Sequence, residues 1–427
     1  MLMGYNKLPS WRDYWNTSND LCCPLVSKAM TRQRFGIILK YLHCNDNAAI
    51  PADNKDRLFK IRPFIDGLNT NFRSFYNGTS NLSVDESMIL FKGRNTMKQY
   101  CPMKPTKRGY KMWCLADQRG YIKKFSIYQG KDGLMEDKWS GFGLGERVVL
   151  SMTEDEWNKN KIVYFDNYFT SLPLLEKLRH ENMLACGTIR LNRKGTPQNM
   201  VADKSMKRGD WDYRVSSTDI TYFKWMDSKA IYLASNFHGT ESSTVFRRDK
   251  KGMQREVECP KIIKDYNSYM GGVDHADQLR SAYGLDKKSK KWWHRIFWAL
   301  IEISFVNSYI VYCQQYEKIS LLEYRRSVAQ GLITLKDSFV AKRSLNYSPQ
   351  SSPSGKKRRG TAQSVCNDIR LGNLGAHWPT FGEKRGRCEL CSLNKIQSRP
   401  YSKCSHCDVF LCCNDKKNCF KEYHGIN

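Results

Sequence analysis

The sequence predicts a mixed α/β protein, and the order of its periodic segments carries that reading. Short runs rich in β-branched and aromatic residues follow one another from Asn81 (NLSVDESMILF, YKMWCLAD, YIKKFSIYQG). A further run, KIVYFDNYF, leads into a helical pattern over 172–182 and then a strand, LACGTIRL. Three strands followed by strand, helix and strand describe a mixed sheet with helices packed on it. Helical periodicity brackets this block on both sides. At 427 residues and 41% apolar content the chain is long enough for two or three domains with packed cores.

Taken in order, residues 1–78 are expected to form a helical module. Phe35, Ile38, Leu39 and Leu42, then Phe64, Ile65, Leu68, Phe72 and Phe75, recur at spacings of three and four. Residues 79–192 supply the first part of the sheet. Residues 193–260 are polar, basic and strand-like (ITYFKWM, AIYLASNF) and read as a β-rich insertion. Residues 261–283, with YNSYMGGVDHADQL, return to helix and complete the core, and 284–345 form a second helical part. Its most apolar stretch, Ile296 to Tyr312, is shorter than the ~20 residues of a membrane span and carries Glu302 and Asn307. We read it as a buried helix and expect no membrane partner. Residues 346–370 (SPQSSPSGKKRRG and its flanks) have little to bury and read as a basic linker. Residues 371–427 form a Cys/His-rich tail.

Lysine and arginine number 70 against 42 acidic residues, a formal net charge of +28. A field of that sign attracts polyanions. Because the charge is spread through folded sequence rather than packed into one run, nucleic acid is the expected partner, bound largely through phosphate neutralisation. The N-terminus lacks a basic region followed by an apolar stretch and a cleavage site, so secretion is not expected. The cysteines are therefore read as reduced, and their crowding at the C-terminus as metal ligation.

Three aspartates stand where a strand end or a helix start presents them: Asp85 in LSVDES, Asp166 in IVYFDN and Asp274 in MGGVDHADQ. Singly, each reads first as a turn or cap residue. Together, in a strongly basic chain, they suit Mg²⁺ or Mn²⁺ beside bound phosphates, since hard cations take oxygen ligands. Two such ions ~3.5–4 Å apart can drive phosphoryl transfer on DNA. Asp277, three residues beyond Asp274, shares its helix face; it can assist the metal or face the helix dipole.

The run KGRNTMKQYCPMKPTKRGYK places Lys92, Arg94, Lys104, Lys107 and Arg108 close in sequence to Asp85, as phosphate contacts. DKKSKKWWHR combines Lys287, Lys288, Lys290 and Lys291 with Trp292 and Trp293, a pairing suited to phosphates and unstacked bases. Adjacent helical residues point ~100° apart, so at least one of the tryptophans is expected in the core. Arg190, Arg193 and the run from Arg247 are further backbone-contact candidates. Lys356 to Arg359 (KKRR) reads as a nuclear localisation signal.

In the tail, Cys388 and Cys391 (CELC) and Cys404 and Cys407 (CSHC) have zinc-site spacing, each pair turning two thiolates toward one tetrahedral ion. Cys412, Cys419 and His424 are one ligand short of a second site, and His377, upstream of the first pair, can supply it. Cys413 and His406 are left over, and either can replace a neighbour. A tail of this size has too little core to fold without its metals.

The ordered blocks NLSVDESMILFKGR, YCPMKPTKRGYKMW, VYFDNYFTSLPLL and YNSYMGGVDHADQ resemble the signature segments of piggyBac transposases and the domesticated proteins derived from them. The resemblance runs from about Pro9 to the C-terminus. It implies an RNase H-like catalytic core with a β-rich insertion, a split helical domain for dimerisation and DNA binding, and a C-terminal cross-brace zinc module. It also implies a metal-binding triad, here Asp85, Asp166 and Asp274 with Asp277 as accessory, and the cofactors Mg²⁺ (or Mn²⁺) and Zn²⁺. The implied activity is cut-and-paste cleavage and strand transfer of double-stranded DNA, from transposon ends into TTAA targets, by a nuclear homodimer. The family's usual His upstream of the first Cys pair supports His377 as a ligand. Members usually carry additional N-terminal residues, often acidic. The competing expectation is a domesticated, sequence-specific DNA-binding protein without catalytic activity.

Overall fold

A computed structural model describes all residues except 131–136, 249–251, 286–288, 290, 346–364, 366–369, 373 and 426–427. Its contacts divide the chain into two compact units, residues 43–324 and residues 1–42 with 325–427.

In chain order the helices of residues 1–78 are α1 (Leu2–Tyr5), α2 (Pro24–Ala29), α3 (Arg32–Tyr41) and α4 (Arg62–Phe75). Thr31 caps α3 by accepting from the Arg34 N–H. Phe35 packs on Trp11 and Trp15, ring centres 5.5 and 5.3 Å away, but Ile37, Ile38 and Tyr41 stay exposed. The apolar stripe seen in the sequence is thus only partly buried within its unit. Pro63 starts α4, which buries Ile65 and Phe72 and leaves Phe75 exposed.

The larger unit is organised by one sheet. Its strands are β1 (Asn81–Leu90), β2 (Lys98–Tyr100), β3 (Arg108–Asp117), β4 (Ile122–Ile127), β5 (Ile162–Phe165), β6 (Leu184–Thr188), β7 (Trp211–Val215), β8 (Thr221–Met226) and β9 (Ala230–Ser235). Among the described residues these nine run in the order β2-β3-β1-β5-β6-β9-β8-β7, with β4 also on β3. β1 is antiparallel to β3 and parallel to β5, and β5 is parallel to β6. The strands of 193–260 do not make a sheet apart: β9 pairs with β6 and extends the same one. A separate hairpin, β10 (Ser242–Arg248) with β11 (Gln254–Pro260), closes that segment.

Strand alternation sends consecutive side chains to two cores. Val163 and Phe165 of β5, Ala185 of β6 and Leu82 and Val84 of β1 face α5 (Leu144–Thr153) and α6 (Leu172–His180). Tyr164, Cys186, Phe223 and Leu233 face the other way, with Ile262 and Ile263 of α7 (Lys261–Tyr269). Each buried aliphatic or aromatic side chain contributes ~1.5–3 kcal/mol, so the two layers fix the strand register. Ser171 caps α6 by accepting from Leu174 N–H at 3.2 Å.

Helices α8 (Gly272–Ala282) and α9 (Trp293–Gln315) follow. α9 is long and apolar enough to cross a membrane, yet it buries Glu302 and Asn307 and is docked on the sheet. Asn307 accepts from Ile122 N–H and donates to Ile122 C=O, both at 2.9 Å. Asn69 of α4 does the same to Phe125, at 2.9 and 3.0 Å. Two amides thereby satisfy backbone groups along the outer edge of β4.

The smaller unit continues with α10 (Leu321–Leu345), which begins at the end of the larger one. It then builds the tail from β12 (Pro379–Phe381), α11 (Glu389–Leu393), β13 (Ser402–Cys404), β14 (Cys413–Asn414), β15 (Lys417–Asn418) and α12 (Cys419–His424). The KKRR run lies outside the described residues.

Candidate carboxylate centre and Cys/His module

Asp85 sits mid-way along β1 and is 9% exposed. In the parallel pair Val84 lies opposite Phe165, so the next residue of each chain segment, Asp85 and Asp166, comes side by side. Asp166 is also a turn residue: its carboxylate accepts from Tyr168 N–H at 2.9 Å and its carbonyl from Phe169 and Thr170. Arg193 braces that turn through the carbonyls of Asn167 and Tyr168, and Arg190 through the Asn167 side chain. Both arginines are thus engaged with the turn itself, Arg193 through its backbone and Arg190 through a side chain.

Asp274 lies in the first turn of α8. The helix reaches the sheet because Gly272 has no side chain: a Cβ there would stand 2.4 Å from the Asp117 carbonyl and 2.6 Å from Ser83 Oγ. One turn on, Asp277 accepts from Ser87 Oγ at 2.7 Å and from Arg280 Nη2 at 2.9 Å, while Arg280 also reaches the Met88 carbonyl. Asp277 therefore fastens α8 to β1 on the strand face that carries Asp85.

Sequence reading gave Lys104 the same role as its basic neighbours, and it missed Glu86. The Lys104 ammonium donates to the Glu86 carbonyl at 3.2 Å and lies 3.8 Å from Asp85 Oδ1 and 3.7 Å from Glu86 Oε1. Burial opposes its charge, but Asp85, Glu86, Asp274 and Asp277 together raise its pKa above the ordinary lysine value. Burial pushes Asp85 up to about 7 against the pull of Lys104, with Glu86 adding to the rise. Burial also pushes Asp166 up. These are the marks of negative charge gathered out of water with too little positive charge beside it.

Among the described residues, the aspartates do not bring three ligand atoms within 4.8 Å of one another, as the Cys/His sets do. The chemistry of the donor set nonetheless suits a hard divalent cation: carboxylate oxygens on β1, after β5 and on α8, with an ammonium beside the one on β1.

Of the other basic candidates, Lys92, Arg94, Lys107 and Arg108 are exposed, and Arg108 lies over the Tyr100 ring. Trp293 is buried, Trp292 half-buried beside Tyr110, and Lys291 reaches over Trp293. Lys287, Lys288 and Lys290 lie outside the described residues.

The tail resolves into two buried tetrads. His377, Cys404, Cys407 and His424 form one, and Cys388, Cys391, Cys412 and Cys419 the other, each with its ligand atoms within 4.8 Å. The sets interleave along the chain, which is a cross-brace. Cys412, not Cys413, joins a set; Cys413 lies half-exposed in β14. His377 turns Nδ1 to the Cys404 and Cys407 sulfurs at 3.4 Å, and its Nε2 to the Gly372 carbonyl. His424 does the reverse, Nε2 toward Cys407 and Nδ1 on the Phe420 carbonyl. Each backbone carbonyl fixes the tautomer that leaves a lone pair for a metal. Ser398 Oγ adds a contact to the Cys412 sulfur at 3.0 Å. Both sets could hold zinc.

The profile described as "Transposase IS4" matches residues 1–309. The chain is 31% identical to human PiggyBac transposable element-derived protein 3 over 99% of its length and 68% of that protein's. It is 30% identical to human PiggyBac transposable element-derived protein 2, with the same coverage. Among solved structures it resembles a piggyBac transposase in a synaptic complex with hairpin DNA, at a TM-score of 0.66 and 21% identity, covering 91% of this chain and 79% of the other. The chain belongs to the piggyBac transposase family.

Proposed function

We propose that this protein is a cut-and-paste DNA transposase of the piggyBac type that cleaves element ends and joins them to TTAA targets as a nuclear homodimer. The observation that supports the reading is the parallel pairing of β1 with β5, which sets Asp85 beside Asp166, together with the fastening of α8, the helix that carries Asp274, to β1 through Asp277 and Ser87. Asp85, Asp166 and Asp274 would hold Mg²⁺ or Mn²⁺, which when bound supplies activation of the attacking oxygen and stabilisation of the leaving one. The chain's own groups do the rest. Asp277 and Arg280 hold α8 in register with β1, Arg193 holds the Asp166 turn, and Lys107 and Arg108 with Lys92 and Arg94 neutralise phosphates beside the centre. The two Cys/His sets would hold zinc and shape the tail as a DNA-reading module.

The test is excision and strand transfer with matched element ends and Mg²⁺. Product from the wild type and none from Asp85→Asn is expected; no product from the wild type, or full activity of Asp85→Asn, overturns the reading. A second reading, DNA occupancy without cleavage, is favoured by the open disposition of the carboxylates around Lys104. DNA binding unchanged by Asp85→Asn, with no cleavage by the wild type, would establish it.

A further inference from the structure

Lys104 is placed for a task that a general phosphate contact does not require. Its loop, between β2 and β3, is closed by the Cys101 N–H on the Lys107 carbonyl and tightened by the Lys104 N–H on the Cys101 carbonyl. Pro102 and Pro105 limit its backbone freedom. Met103 at the tip is 94% exposed while the Lys104 side chain is 26% exposed, so the loop turns this one cation inward. There the ammonium meets Asp85 and Glu86, and it senses Asp274 and Asp277.

We propose that Lys104 is the exchangeable counter-cation of the carboxylate centre: in the metal-free protein its ammonium gathers Asp85 and Glu86, and a divalent cation displaces it onto a DNA phosphate. This rests on the carboxylate centre binding a divalent cation. Lysine suits the role, being a compact point charge on a flexible stem that swings without rebuilding a bidentate pair. A divalent ion on Asp85 and the ammonium repel each other at contact distance, so the two compete for that carboxylate. The released ammonium need move only outward, where Lys107 and Arg108 of the same segment are exposed. Metal binding thereby adds one cation to the DNA-facing surface, and DNA and metal strengthen each other's binding.

The test uses the whole chain, zinc-loaded, at about pH 8. Mn²⁺ binding is measured by calorimetry, and affinity for a short duplex is measured with and without Mn²⁺ at constant ionic strength. Removing the competing charge in Lys104→Gln is expected to tighten Mn²⁺ binding roughly 10-fold and to cut the Mn²⁺-dependent gain in DNA affinity several-fold. Lys104→Met serves if the glutamine variant misfolds, as judged by its melting curve. Lys104→Arg, which keeps the charge, stays within about 2-fold of wild type in Mn²⁺ affinity. Unchanged or weaker Mn²⁺ binding in the charge-removing variants, with an undiminished DNA gain, shows a static lysine and overturns the inference. Mn²⁺ binding by the wild type that Asp85→Asn leaves untouched overturns the carboxylate reading itself, a separate and recognisable failure.

Discussion

Within residues 377–424 the Cys/His module closes eight ligands into two buried sets, whereas the carboxylate centre draws on residues as far apart as Asp85 and Asp274 and stands open around an ammonium. The difference follows from chemistry. Cysteine and histidine can be packed together neutral, so a tail with little core can pre-assemble its ligands and let metal complete the fold. Aspartates crowded out of water must either take up protons or face a cation. Here they are carried on separate elements, a strand, a strand end and a helix start, with Lys104 beside Asp85 and Glu86. On the proposed reading, one site would be folded by its metal and the other built first and filled later.

The strongest way to break the comparison is to strip the metals. Removing zinc with a chelator is expected to unfold the tail while the sheet unit persists, since structural zinc contributes on the order of 10 kcal/mol to a module of this size. Limited proteolysis and metal analysis check this, and Cys388→Ser and Cys404→Ser should each cost one of two ions. A tail that stays folded without zinc would erase the contrast. Next in size, Asp85→Asn should leave the fold intact and lower strand transfer by ~10³-fold or more, the scale of several kcal/mol of lost charge stabilisation.

A smaller effect comes from Gly272→Ala. Its methyl would press on the Asp117 carbonyl and Ser83, shifting α8 at a cost of ~1–3 kcal/mol in urea unfolding. The smallest is a pH slope. Because burial raises the Asp85 carboxyl to about 7 in the folded chain, the folded state binds more protons than the unfolded one between the ordinary carboxylate value and about pH 7. Stability from this group is therefore fully present below that window and is lost as pH rises through it. Asp85→Asn should flatten the slope in metal-free protein.

The module was legible in the sequence because its ligand spacing is local: two Cys-x-x-Cys turns announce themselves. Its pairing was not, since which pair meets His377 depends on how β12 and β13 come together. In the sheet, the strand containing Asp85 and the one ending before Asp166 were readable from their short runs of β-branched and aromatic residues. Their parallel adjacency was not, because it joins segments separated by β2 to β4 and by α5, a helix the strand-rich pattern hid. Lys104 was hidden among its neighbours; a run of lysines gives no hint of which one turns inward. The stripe on α3 shows the opposite limit: a helical period states that a face is apolar but not that its own unit covers it.

The amides of Asn69 and Asn307 along β4 carry a mechanical consequence. Each grips one N–H and one C=O of the same strand, so neither α4 nor α9 can slide by a fraction of a turn without breaking two bonds together. The grips tie both helices to the strand beside β3, the neighbour of the strand bearing Asp85. A load applied to either helix thus passes into the sheet as into one stiff frame, and the helices serve as its handles.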